Sequence, residues 1–209
     1  MGEQMSGRHR RWLVISALVL TAAAAPAYAQ NTQAPQAAPQ ASRGGWLGVG
    51  LGYGAFRTDC NNCTRDDLYS SGGGLSVAGG IAVNRQVDVG GEIFWTSTAF
   101  DAGKYRASFL LGTVQFRPWQ NHGFYLKGGL GLAFIRSSIT LDGQTTESRP
   151  KGLGVHYGAG WMFGRDRRVA FAPFGGHYVA SLGDIPTPSG VAENPVSNVW
   201  FAGVTMLIR

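Results

Sequence analysis

From Gly45 to Arg209 large apolar residues alternate with polar or small ones at a period of two, and no 3.6-residue period is sustained. In Trp46–Gly54, Leu47, Val49, Leu51 and Tyr53 share one face and glycine fills most of the other. Gly74–Val83 sets Leu75, Val77, Ile81 and Val83 against glycine, serine and alanine, and Val87, Val89, Ile93 and Trp95 alternate with Asp88, Gly90, Glu92 and Phe94. Phe124–Phe134, Leu153–Phe163 and Trp200–Ile208 repeat the pattern. Two further strands, Tyr105–Arg117 and Val169–Ala180, are less regular, and the adjacent Phe109, Leu110 and Leu111 predict a bulge or an ambiguous register in the first of them. These segments make eight strands of about ten residues each, enough to cross a bilayer when tilted.

The separators alternate in length. Asn84–Gln86, Trp119–Gly123 and Arg165–Arg168 are short and polar, whereas Thr58–Ser71, Thr98–Lys104, Ser138–Gly152 and Ser181–Asn194 are longer. Short turns on one side and long loops on the other are the layout of an outer-membrane barrel. Polarity supports it. The face opposite the bulky residues carries Asp88, Glu92, Lys127 and His156, so the charges belong inside and the apolar face belongs against lipid, where a closed barrel leaves no backbone group unpaired. Aromatic residues near strand ends fit two interfacial belts, with Trp119, Phe124, Trp161, Phe163 and Phe171 at the turn side and Trp95 and Trp200 at the loop side. The expected fold is an all-β, transmembrane, antiparallel up-and-down barrel of eight strands.

The first 29 residues are an address. Arg8, Arg10 and Arg11 precede an apolar run from Trp12 to Ala25, and Ala27-Tyr28-Ala29 is a small-x-small cleavage site, so residues 1–29 are expected to be removed between Ala29 and Gln30. Residues 30–44 are an Ala/Pro/Gln-rich flexible tail, and 45–209 are the barrel. The full chain of 209 residues has 18 basic and 12 acidic residues, a formal charge of +6. Without the leader 15 basic and 11 acidic residues remain, an excess too small and too scattered for a nucleic-acid partner. Charged residues are only 14% of the chain, and 32 residues are glycine.

The leader, the glycine-rich first strand, the alternation of turns and loops, and a last strand at the C-terminal end together resemble the small eight-stranded outer-membrane barrels, the OmpA/OmpX-like and opacity-protein-like porin family. The resemblance covers Gly45–Arg209. It departs in the ending Thr205-Met206-Leu207-Ile208-Arg209, where such barrels usually carry a terminal aromatic. It implies a cell outer-membrane protein of the Gram-negative envelope, surrounded by outer-membrane lipid and lipopolysaccharide and folded by the barrel-assembly machinery. It implies a monomer with a structural or surface-interaction role. A narrow porin-like or hydrophobic-solute channel is the alternative. Lipid A modification is a weaker one, because His177 is followed by Tyr178-Val179-Ala180-Ser181 and not by the H-x-S-N arrangement of the deacylases. No catalytic residue, cofactor or metal is expected.

Two groups of residues carry candidate chemistry. Asp88, Glu92, Arg117, Lys127 and His156 form a charge network in the lumen, which in a barrel of eight strands has room only for side chains or one small ligand. The network is either a plug of paired charges or the lining of a narrow polar path. The glycine-lined inner face of the first, second and sixth strands leaves space for a path unless Trp46, Phe94 and Tyr125 fill it. Cys60 and Cys63, two residues apart in an exported loop, are expected to form a disulfide. Asp59, Asp66 and Asp67 lie nearby but not at the spacing of a calcium loop.

Overall fold

The structure, a computed structural model, describes residues 44–59, 70–100, 103–119, 122–141, 144–165, 167–183, 185–187, 190–192 and 195–209. Residues 1–43, which hold the expected signal and all but the last residue of the expected tail, lie outside this set, as do Cys60 and Cys63. The strands are β1 (Gly45–Asp59), β2 (Ser70–Ala82), β3 (Val87–Phe100), β4 (Gly103–Phe116), β5 (Phe124–Leu141), β6 (Gln144–Ser148), β7 (Lys151–Trp161), β8 (Val169–Leu182), β9 (Ile185–Thr187), β10 (Gly190–Ala192) and β11 (Val196–Ile208). Each of β1, β2, β3, β4, β5, β7, β8 and β11 pairs antiparallel with two neighbours, and β11 returns to β1, so eight strands close a barrel.

The registers fix its shear. Leu47 leads through Gly79, Gly91, Gly112, Leu130, Val155, Val179 and Asn198 back to β1 at Arg57, ten residues beyond the start. A stagger of this size obliges the strands to tilt strongly to the axis.

The strands run longer than the alternation alone implies. They span 13 residues in β2 and 18 in β5, because the pairing continues beyond the membrane-facing stretch into what reads in sequence as loop. β3 and β4 pair up to Phe100 and Gly103, so the expected long connection Thr98–Lys104 is a two-residue link. β6 continues the register of β7 on β5 and is broken only at Arg149-Pro150, where proline has no N–H to give and its carbonyl accepts from Ile135 N at 3.0 Å. At the other end the turns are tight. Asn84 Oδ1 accepts from the backbone N–H groups of Gln86 and Val87, both at 2.8 Å. Gly164 closes the β7–β8 turn at φ 73°, a left-handed conformation that favours glycine.

No bulge occurs at Phe109-Leu110-Leu111. β4 pairs in one unbroken register on both sides, with Phe109 and Leu111 facing in and Leu110 facing out. The alternation is blurred there because the interior is itself apolar over part of its length. The outer wall is inverted relative to a soluble fold: Leu47 is 67% exposed and Leu130 64%, whereas Phe94 is 0% and Glu92 2% exposed. That polarity suits a hydrocarbon solvent. Trp119, Trp161, Phe163 and Phe171 stand on the outer wall near the turns, and Trp95 and Trp200 on the outer wall toward the loops.

Candidate functional site

The inward face is stacked in layers. Nearest the turns, Asp88 on β3 meets Arg117 just beyond β4. Arg117 Nη1 and Nη2 donate to the two carboxylate oxygens at 2.7 and 2.6 Å, Nε donates to the Arg85 carbonyl at 3.3 Å, and both side chains are buried. This two-pronged geometry is the strongest an arginine makes with a carboxylate. Around it Trp46, Tyr125, Met162 and Leu207 form a small apolar layer.

Above lies the second charge cluster. Glu92 Oε2 is 2.9 Å from Lys127 Nζ, and Tyr178 donates its hydroxyl to Oε1 at 3.3 Å. His156 Nδ1 is 3.6 Å from Oε2, beyond hydrogen-bond reach, and neither ring nitrogen has a hydrogen-bond partner. His156 is held by stacking instead: its ring lies on Tyr178 at 4.1 Å and 4°, and Tyr178 lies on Phe94 at 4.1 Å and 10°. Toward the loops the stack joins Phe109, Phe201, Phe56 and Leu182 in a closed apolar cluster.

The five lumen charges therefore lie in two groups, Asp88 with Arg117 and Glu92 with Lys127 and His156. Four residues along one face of β3 separate Asp88 from Glu92, about 13 Å at strand rise, too far for a single cluster. Trp46, Phe94 and Tyr125 are all buried inside. Tyr178, not singled out in the sequence, is the centre of the stack. Its signal was parity, since it sits on the same inward face of β8 as Phe174 and Gly176.

Rings occupy recesses of the glycine-lined wall. A Cβ on Gly160 would come within 2.5 Å of the Tyr125 ring, one on Gly154 within 2.9 Å of Phe109, one on Gly176 within 2.7 Å of His156 Nε2, and one on Gly52 within 2.6 Å of Phe201. Inward glycines are the space into which rings from the adjacent strand, or the next but one, fit.

His122 lies in the turn after β4, and His177 faces outward on β8, where Tyr157 OH is 2.6 Å from Nδ1 and the Trp200 ring stacks at 3.9 Å. Among the described residues no group of His, Cys, Asp and Glu is arranged to hold a metal ion.

The family model described as "Outer membrane protein beta-barrel domain" matches residues 15–171. No curated protein matches the chain by sequence. Among solved structures it is similar to Ail, the attachment invasion locus protein of Yersinia pestis, with a TM-score of 0.58 and 16% identity over 78% of this chain and 99% of that one. Ail in complex with the heparin analogue sucrose octasulfate gives 0.57 at the same identity and coverage. Neisserial surface protein A gives a TM-score of 0.51 and 16% identity, over 76% of this chain and 95% of that one.

Proposed function

This chain belongs to the outer membrane protein β-barrel domain family, and from that premise we propose that it is a non-enzymatic, sealed, monomeric barrel acting as a structural and surface-interaction protein of the bacterial envelope. The observation that carries the proposal is the seal. Glu92, His156, Tyr178 and Phe94, reaching in from β3, β7 and β8, are all at most 2% exposed, which supports a barrel closed at this layer, with Lys127 beside it the more accessible charge. A narrow channel would need a wetted route through that layer. Each of the eight barrel strands is paired on both sides, so among the described residues the barrel wall itself offers no free strand edge to a second chain. Export by the residue 1–29 leader is part of the same proposal.

What remains for recognition is the loop end, and there charge is concentrated. Arg106 on β4 pairs directly with Arg136 on β5, and the register from Phe134–Lys151 to Ser137–Ser148 sets Arg149 opposite Arg136 on the other side. Lys104 and Lys151 flank this row, and all five side chains are exposed. Like charges opposite one another across strands are destabilising without a counter-ion. Only Glu147 supplies one among the described residues, bonding Arg136 at 3.1 Å and Arg149 at 2.9 Å. Such a row suits phosphate or sulfate groups on surface saccharide, lipopolysaccharide among them. Ail is known in complex with a polysulfated sugar; the proposal here stands on this chain's own arginines.

The test is solute release and polyanion binding by folded barrel in phosphatidylcholine vesicles, with the gel-mobility difference between unheated and boiled samples as the folding control. Folded protein should release no more of a small trapped dye than protein-free vesicles, and should bind sulfated dextran with an affinity that falls steeply with salt. Release of the dye would move the channel reading ahead. Equal binding by a variant with Arg106, Arg136 and Arg149 all changed to Ser would overturn the role given to the row.

A further inference from the structure

At the turn end of the outer wall four rings meet where β4, β5 and β7 come together. Phe124 opens β5 and pairs with Trp161, the last residue of β7. Trp119 and His122 come from the turn between β4 and β5. That turn is closed on itself and tied to the end of β7: His122 N donates to the Trp119 carbonyl at 3.4 Å, and Met162 N donates to the Gly123 carbonyl at 2.8 Å. Trp119 is 57% exposed, Trp161 is 42% exposed, and His122 is exposed as well.

The rings follow one another in a closed circuit. Their centres are 6.4 Å apart from Trp119 to His122, 6.4 Å from His122 to Trp161, 6.5 Å from Trp161 to Phe124 and 5.7 Å from Phe124 back to Trp119. Neighbouring planes cross at 88°, 63°, 57° and 49°, so the rings stand as walls and do not stack. Four sides of that length surround a middle about 4–5 Å from every centre, inside the range at which an aromatic face holds a cation. The arrangement depends on Gly123, where a Cβ would press on the Met162 carbonyl and come within 2.9 Å of Trp161 Nε1. Anchoring at an interface needs only single aromatic side chains and no such circuit.

We propose that this box binds the ammonium headgroup of phosphatidylethanolamine from the leaflet at the turn side. The box opens on the lipid-facing wall at the ends of the spanning strands, which is the depth at which headgroups begin. Aromatic faces are negative and suit a positive group there, and no member of the box is acidic. Phosphatidylethanolamine carries a primary ammonium, whose N–H groups also donate to a ring nitrogen of His122. A quaternary ammonium has no N–H and makes the ring contacts alone. The site is separate from the lumen charges and from the basic row at the loop end, and it does not rest on the barrel being sealed.

The experiment is native mass spectrometry of the full barrel, released from vesicles of two palmitoyl-oleoyl lipids in equal parts. The first mixture is phosphatidylethanolamine with phosphatidylglycerol, and the second is phosphatidylethanolamine with phosphatidylcholine. The gel-mobility difference verifies that each variant is folded. Trp119→Leu and Trp161→Leu keep apolar bulk but remove a π face. Each should lower the ratio of retained phosphatidylethanolamine to phosphatidylglycerol about fivefold, while Trp95→Leu in the loop-side belt should leave it unchanged. Because each reading is a change from wild type, attraction of phosphatidylglycerol to the exposed Arg85, Arg167 and Arg168 of the other turns cancels. In the second mixture wild type should retain about threefold more phosphatidylethanolamine, and His122→Phe, which keeps a ring but loses the nitrogen, should bring the two lipids to parity. An unchanged ratio in the two folded box variants would overturn the proposal. So would an equal fall in Trp95→Leu, which makes the effect one of belt tryptophans in general, or an excess of phosphatidylcholine on wild type, which assigns the box to a quaternary ammonium. No retained lipid on wild type would overturn it as well.

Discussion

The Glu92–Lys127 pair sets a stability test with a sign that bulk packing would not give. At 2.9 Å the two charges attract by about 6 kcal/mol at an effective dielectric of about 20, and burial takes back a comparable amount in lost hydration. The net worth of the intact pair is therefore small, while half of it is expensive. Lys127→Met leaves a carboxylate that is 1% exposed with the Tyr178 hydroxyl as its hydrogen-bond donor and His156 Nδ1 at 3.6 Å, and Glu92→Gln leaves an ammonium in the lumen without its carboxylate. Each single change should cost about 3–5 kcal/mol, and the double variant only about 1–2 kcal/mol, because it removes both charges at nearly constant volume. The assay is urea unfolding from short-chain phosphatidylcholine vesicles, followed by tryptophan fluorescence and by gel mobility, analysed as a double-mutant cycle. A coupling of at least about 3 kcal/mol is expected. If the double variant instead costs the sum of the singles to within about 0.5 kcal/mol, the pair is not the unit that closes the lumen. A matching cycle between Glu92 and Asp88 should show additivity, because the two carboxylates belong to separate layers.

Three further outcomes follow from the same geometry. Arg117→Lys keeps the charge but loses the two-pronged contact with Asp88 and the Nε bond to Arg85, and should destabilise by about 1.5–3 kcal/mol in the same urea assay. Gly160→Ala drives a methyl toward the Tyr125 ring and the Pro173 carbonyl, at 2.5 and 2.7 Å, and should cost about 1–3 kcal/mol, whereas Gly175→Ala on the outer wall should stay within about 0.5 kcal/mol of wild type. Glu147, at the loop end, is held below its ordinary value of 4.5 by its bond to Arg149 and by the charge of Arg136. Acid therefore neutralises it only below pH 4.5, adding one unit of positive charge to the row. Sulfated-dextran affinity measured against pH should rise only in that range, and Glu147→Gln should remove the rise and bind more tightly at neutral pH.

What was legible in the sequence was whatever a period of two can carry. Leu47, Val49 and Leu51 point to lipid because their neighbours do not, and that decides inside from outside without knowledge of any partner strand. Register is a different kind of information. Tyr178 lies on Phe94 and against His156 because the barrel closes with a stagger of ten residues; no local pattern on β3, β7 or β8 states that number. The same holds for the hairpin between β3 and β4, where pairing continues to Phe100 and Gly103 across residues that locally resemble loop.

The division of the lumen charges into two layers was nevertheless within reach of the sequence, since Asp88 and Glu92 share one strand face at a fixed rise. The glycines show what the alternation by itself leaves out. Gly52, Gly154, Gly160 and Gly176 look alike in sequence to Gly175, yet each of the first four is the recess for a particular ring, and the fifth is not. Each of these lumen-facing glycines receives a ring from a neighbouring strand, so a count of small inward residues measures the room needed by aromatic rings before it measures a pore.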